Sequence, residues 1–202
     1  MNTRILQPVL MLLLVFTSCV GTSQNEEVKE DFNKYISAIQ DKEYEKALDL
    51  TIPSIFHLVS RKQLSQSWRA AVSTPGMDMI IGDVEILAVN ELQDVEDTAY
   101  KTLEYNQNLK MRFDEKTMND SGASQDEFLK QTETAIKAQF GEENVSLDPN
   151  TMYFTIKSNK KVLAAQPEDA EHWQFMVLEK GNENYIKQLI PETTYNEVYN
   201  EK

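Results

Sequence analysis

Residues 98–113 most tightly limit the folds open to this chain, because they alternate apolar and polar side chains over an unusual length. Ala99, Leu103, Tyr105, Leu109, Met111 and Phe113 fall on one face. Thr102, Glu104, Asn106, Asn108, Lys110 and Arg112 fall on the other. Successive side chains of a strand point to opposite faces, so a period of two predicts one long strand. Alternation this clean predicts a sheet covered on one side only. A second β-like run, 83–92, sets Val84, Ile86 and Ala88 on one face and Leu87 and Val89 on the other.

Before these strands the apolar period is helical. Val28, Phe32, Tyr35, Ile36 and Ile39 form one stripe over 26–40, and Tyr44, Ala47 and Leu48 continue it after a break at Asp41-Lys42. Pro53 suits a first helical turn, and Ser60 is placed to cap a helix that aligns Leu64, Trp68 and Val72. Ser73-Thr74-Pro75-Gly76 stops it. After the long strand, 114–122 reads as a polar loop. Ser124 and Glu127 then form a capping box that opens a helix with Phe128, Leu129, Thr132, Ile136 and Phe140 inward, closed by Gly141. A strand at 152–157, a turn at Ser158-Asn159, its partner at 161–165 and a last strand at 172–178 are expected. Residues 183–199 suit either a strand or a helix broken at Pro191, with helix favoured. Helices followed by a mostly antiparallel, curved sheet make an α+β fold, with an inserted helix at about 124–140.

The first nineteen residues have a different character. Arg4 is basic, Val9 to Phe16 is an unbroken apolar run, and Phe16-Thr17-Ser18-Cys19 follows. A secretory signal has a basic start, an apolar core of roughly 7–15 residues and small residues at the cut. The run is shorter than the roughly 20 residues that span a bilayer. Cys19 is the only cysteine of the chain. The segment resembles the lipobox of bacterial lipoproteins, with Phe16 where Leu or Val is usual. The resemblance implies cleavage after residue 18 and acyl chains on Cys19. Residues 19–27, rich in Ser, Gln, Asn and Glu, read as a polar tether, and 28–199 as a single domain. The expected address is the cell envelope, on the outer rather than the inner membrane, on its periplasmic or surface face.

The formal net charge is −13, and the only charged residue among the first eighteen is Arg4, so the remainder is more acidic still. Nucleic acid demands a basic face, so it is excluded as a partner. With its one cysteine acylated, the domain has no thiol for a disulfide or for nucleophilic catalysis.

Further motifs carry a resemblance. Tyr35, Tyr44, Leu48, Pro53-Ser54-Ile55-Phe56, Lys62-Gln63-Leu64, Trp173-Gln174-Phe175 and Leu189-Ile190-Pro191 are similar to segments of secreted bacterial proteins in the nuclear transport factor 2-like superfamily, the cystatin-like cones. The resemblance spans nearly all of 27–199. It implies a bent sheet wrapped on helices, with a mouth that can serve as a pocket. Superfamily members include isomerases, dehydratases and non-catalytic binding domains, so the fold alone selects no activity.

Enzymes of this shape place an Asp, His or Tyr inside the pocket. His57, beside Phe56 and Leu58, reads as a partly buried packing residue, and His172 as solvent-facing after an acidic turn. The acidic groups Asp94, Glu96, Asp97 and Glu142-Glu143 match no metal-binding spacing and read as solvated turns. No catalytic, metal or cofactor-binding residue is assigned and no cofactor is expected. The aromatics Tyr105, Phe113, Phe154, Trp173 and Phe175 are the candidate pocket lining, although packing of the sheet on its helices uses the same residues. The expected function is non-enzymatic: binding of a small apolar ligand or a protein partner at the membrane. The alternatives are a cofactor-free isomerase or dehydratase and a structural or assembly subunit.

Overall fold

A computed structural model describes residues 20–199, so Cys19 and the apolar run before it lie outside the described residues. Helix α1 (Val20–Gln40) is followed by α2 (Tyr44–Asp49), a 3-10 turn at Pro53–His57, and α3 (Arg61–Ala71). The stripe predicted for α1 is its buried face: Val28 and Phe32 are fully enclosed, and Tyr35 and Ile36 nearly so. The helix begins earlier than its stripe. Residues 20–27, read as a tether, are helical and continuous with α1. The Ser60–Gln63 capping box opens α3, two otherwise orphaned N–H groups being satisfied reciprocally.

The sheet comprises β1 (Met77–Glu91), β2 (Thr98–Phe113), β3 (Val145–Leu147), β4 (Phe154–Pro167) and β5 (Gln174–Val177). Its order is β1-β2-β4-β3, with β5 on the same side of β4 as β3, and every ladder is antiparallel. Strongly curled, the sheet forms a half-barrel against the N-terminal helices, as the cone-like expectation describes. Strand β2 has the predicted limits and is the central scaffold, paired along almost its whole length with both β1 and β4.

Four details depart from the sequence expectation. Strand β1 starts at Met77 rather than Asp83, and two bulges interrupt it, at 81–84 and 86–88. The second shifts the side-chain parity by one: Ile86 pairs with Tyr105 and Val89 with Leu103, so both face inward and Leu87 is left exposed. At the first bulge, Gly82 lets the chain approach β2, where a Cβ would sit 3.0 Å from the Asn108 carbonyl oxygen. Gln40, ending α1, donates to the Gly82 carbonyl at 2.8 Å.

Second, no turn divides β4. Ser158 and Asn159 pair directly with Gln107 and Asn106 of β2, and this long template overrides their turn preference. Third, the polar segment after β2 contains α4 (Glu115–Asp120), capped by Asp114 and carrying buried Met118. Fourth, the sheet is covered on both faces at one end. Val162 and Ala164 pack under α1, while Leu163 and Ala165 pack on the opposite face beneath α6 (Glu183–Ile186) and α7 (Glu192–Tyr199). Those two helices flank Pro191, as expected for a broken helix. At the other end of the inner face, α5 (Gln125–Phe140) lies over Leu109, Met111, Phe154 and Ile156.

Among the described residues no helix is long and apolar enough to cross a membrane.

Candidate functional site: a groove at the far end of the long strand

The five candidate aromatics divide between core and groove. Tyr105, Phe154, Trp173 and Phe175 are each at most 1% exposed. Phe32 of α1 packs on Tyr105, edge-on at 4.8 Å, and on Phe175 at 5.3 Å, with Trp173 in the same cluster, whereas Phe154 packs beneath α5. Burial also pushes the Tyr35 and Tyr105 phenols well above their ordinary pKa, so both stay neutral. Under α1 the inside of the half-barrel is therefore packed. Phe113 differs, because it is only half-buried and lines a groove.

This groove, of about 590 Å³, lies where β1 begins, β2 ends, and α4 and the β3–β4 loop converge. Met77, paired directly with Phe113, forms its floor with Met118 and Met152. Local backbone chemistry shapes each wall. Gly76 takes φ +80, and a Cβ there would lie 2.1 Å from Thr117 Oγ1, so only glycine lets the chain pass so close to α4. Asp114 accepts from the Thr117 N–H at 2.7 Å, which fixes the start of α4. That bond holds the Asp114 carboxyl below the usual carboxylate range. In the β3–β4 loop, Asp148 accepts from Asn150 N–H at 2.9 Å and from Thr151 Oγ1 at 2.7 Å. The chain then turns through Met152 at φ +59, a conformation that an unbranched residue tolerates only at a cost.

One rim carries a charged and aromatic group. Arg112 pairs with Asp78 at 3.2 Å and lies over the Tyr153 ring at 4.6 Å, and the Tyr153 hydroxyl donates to Asp78. The bond to Asp78 raises the Tyr153 pKa. Three thioethers and one ring share the lining with seven polar or charged residues, a mixture that suits an amphiphilic ligand with an apolar part. A larger hollow of about 700 Å³ borders the β1–β2 turn. Its lining mixes the exposed carboxylates of Asp94, Glu96, Asp97 and Glu168 with Ala99, Pro167 and Ala170, and includes no methionine or aromatic side chain.

Two ionisable side chains not singled out from the sequence, Asp31 and Lys101, are buried. Asp31, on the inner stripe of α1, accepts from the Trp173 N–H at 3.0 Å. Its other oxygen lies 3.1 Å from Lys34 Nζ and 3.4 Å from His172 Nδ1. Glu30 and Asp31 together hold the Lys34 ammonium above its ordinary pKa. Lys101 is 1% exposed on the apolar face of β2. Its ammonium donates to Glu91 Oε1 at 2.7 Å and to Asn25 Oδ1 at 2.8 Å, and sits 5.3 Å from the centre of the Trp173 ring. Both side chains tie α1 to the sheet through Trp173. The available signal was a charge interrupting an apolar stripe: Asp31 between Val28 and Phe32, Lys101 between Ala99 and Leu103. His172 is about half exposed, as expected. His57 is exposed rather than partly buried, because the 3-10 turn directs it outward.

No family model and no curated protein matches the chain. A solved structure, an uncharacterised protein with a cystatin-like fold from Caulobacter vibrioides, is similar at 9% identity with a TM-score of 0.36. The match covers 82% of this chain and 96% of that one. A likeness this slight bears no weight on function. The α+β half-barrel stands on its own strands and helices.

Proposed function

We propose that this chain is an envelope lipoprotein, tied to a membrane by acyl chains on Cys19, whose domain binds a small ligand with an apolar body in the groove between β1, β2 and α4. The anchor rests on the position of the only cysteine, directly after a short apolar run and two small residues. Each buried acyl CH₂ contributes about 0.8 kcal/mol, so two or more chains give durable attachment.

The observation that carries the binding role is the contrast between the packed interior under α1 and the open, methionine-floored groove at the other end of the strand. Its volume falls in the range of about 300–1,000 Å³ typical of small-molecule sites. Binding is favoured over catalysis because the buried Asp31 and Lys101 are engaged with structural partners and lie at the opposite end of β2 from the groove.

Native mass spectrometry of the protein extracted from membranes tests the binding role. Wild type is expected to carry a ligand that Met77→Arg, which fills the groove, does not. Identical spectra for both proteins refute it. Metabolic labelling with an alkynyl fatty acid tests the anchor separately: label is expected on wild type and lost in Cys19→Ala.

A further inference from the structure

We infer that the groove selects cationic amphiphiles, molecules with one short alkyl chain and a positively charged head, over neutral or anionic ones; this rests on the binding role proposed for the groove. Three carboxylates line it, Asp78, Asp114 and Glu115, against one guanidinium, Arg112. The guanidinium is already engaged, paired with Asp78 at 3.2 Å and stacked at 4.6 Å on the Tyr153 ring. Neither member of this pair is free to receive a ligand head, so Asp114 and Glu115 carry the remaining charge of the lining.

Asp114 uses one oxygen, Oδ1, to cap α4 through the Thr117 N–H. The Thr117 side chain bonds this carboxylate as well, and Asp114 keeps its charge at the exposed edge of the groove. Lys116, outside the lining, also acts on Asp114, yet carboxylates still outnumber cations around the groove. Glu115 is exposed beside it.

Met77, Met118, Met152 and Phe113 share the lining with these carboxylates. Thioether side chains are unbranched and polarisable, and adjust to an alkyl chain of variable shape. Apolar side chains beside carboxylates complement an ammonium on a hydrocarbon tail. The chain's net charge of −13 adds a long-range field that draws cations and repels anions. Selectivity of this kind comes from charge at the rim and weakens with salt, whereas the grip on the tail does not.

The test uses full-length lipidated protein in nanodiscs of zwitterionic lipid, with empty discs as the blank. Equilibrium dialysis compares octyltrimethylammonium, octanoate and octyl glucoside. The ammonium is expected to bind about tenfold more tightly than octanoate at low salt, with the gap closing at high salt. Glu115→Gln is expected to weaken the ammonium severalfold and leave the glucoside unchanged, and Met77→Arg to weaken all three. Equal binding of the three probes, or a preference for octanoate, overturns the charge selectivity and leaves the groove as a binding site. No binding above the blank, with Met77→Arg indistinguishable from wild type, overturns both.

Discussion

Replacing Lys101 by methionine should cost far less stability than replacing it by alanine. The side chain is enclosed between Trp173 and the start of α1, with its ammonium on Asn25 and Glu91. Lys101→Ala removes three methylenes from that enclosure, at about 0.8 kcal/mol each. It also removes two hydrogen bonds from a charged donor, and the loss together is about 3 kcal/mol after allowing for the relieved burial of charge. Lys101→Met keeps most of the packing and removes the buried charge. Glu91 is left, but its side chain is already 59% exposed, so water replaces the lost partner. The net change for methionine should therefore lie within about 1 kcal/mol of wild type. Urea unfolding followed by tryptophan fluorescence measures both variants, since Trp173 is one of only two tryptophans. At roughly 2–4 °C per kcal/mol for a domain of this size, alanine should lower the melting temperature by about 6–12 °C. A methionine variant as unstable as the alanine variant would show that the ammonium, rather than the packed stem, holds α1 to the sheet, and the reasoning would be refuted.

Other perturbations separate neighbouring causes. Gly76→Ala should destabilise by about 2 kcal/mol and disturb the groove, because φ is +80 and the new Cβ collides with Thr117. Gly122→Ala, at φ +76 in open space, should cost about 1 kcal/mol, and equal losses in thermal melts would discount the contact with Thr117. Thr194 is fully buried and its hydroxyl lacks a hydrogen-bond partner among the described residues, so Thr194→Val should be neutral or stabilising by up to about 1 kcal/mol. A marked loss in urea unfolding would point to a bonded hydroxyl. The Ser124 hydrogen bonds lower the Glu127 pKa below its ordinary 4.5. A carboxylate depressed on folding adds stability above its unfolded pKa and loses it as pH falls through the folded value. Ser124→Ala should therefore flatten the decline in stability between about pH 5 and pH 3, and an unchanged pH slope would contradict this.

The features legible in the sequence are those fixed by local chemistry. The capping boxes at Ser60 and Ser124 open α3 and α5 at the predicted residues, because each is completed within one turn of helix. The limits of β2 follow from alternation alone. What escaped depends on distant partners. Ser158-Asn159 has turn chemistry, yet β2 supplies a matching ladder and β4 runs through it. The inward position of Val89 depends on a bulge, which shifts alternation without leaving a sequence mark. Helices α6 and α7 cover a face that the polar residues of β2 marked as open, since the apolar half of that contact comes from Leu163, Ala165 and Met176 on other strands. The groove was half legible. Phe113 was singled out for its place on the apolar face, but the methionines around it come from β1, α4 and the β3–β4 loop, and only the fold brings them together.

The most direct test of the central claim is the intact mass of the protein extracted from native membranes, with fragmentation of its first residues. An N-terminus at Cys19 bearing two or three acyl chains is expected, with residues 1–18 gone. A chain that still begins at Met1, or one whose Cys19 carries a bare thiol, contradicts it.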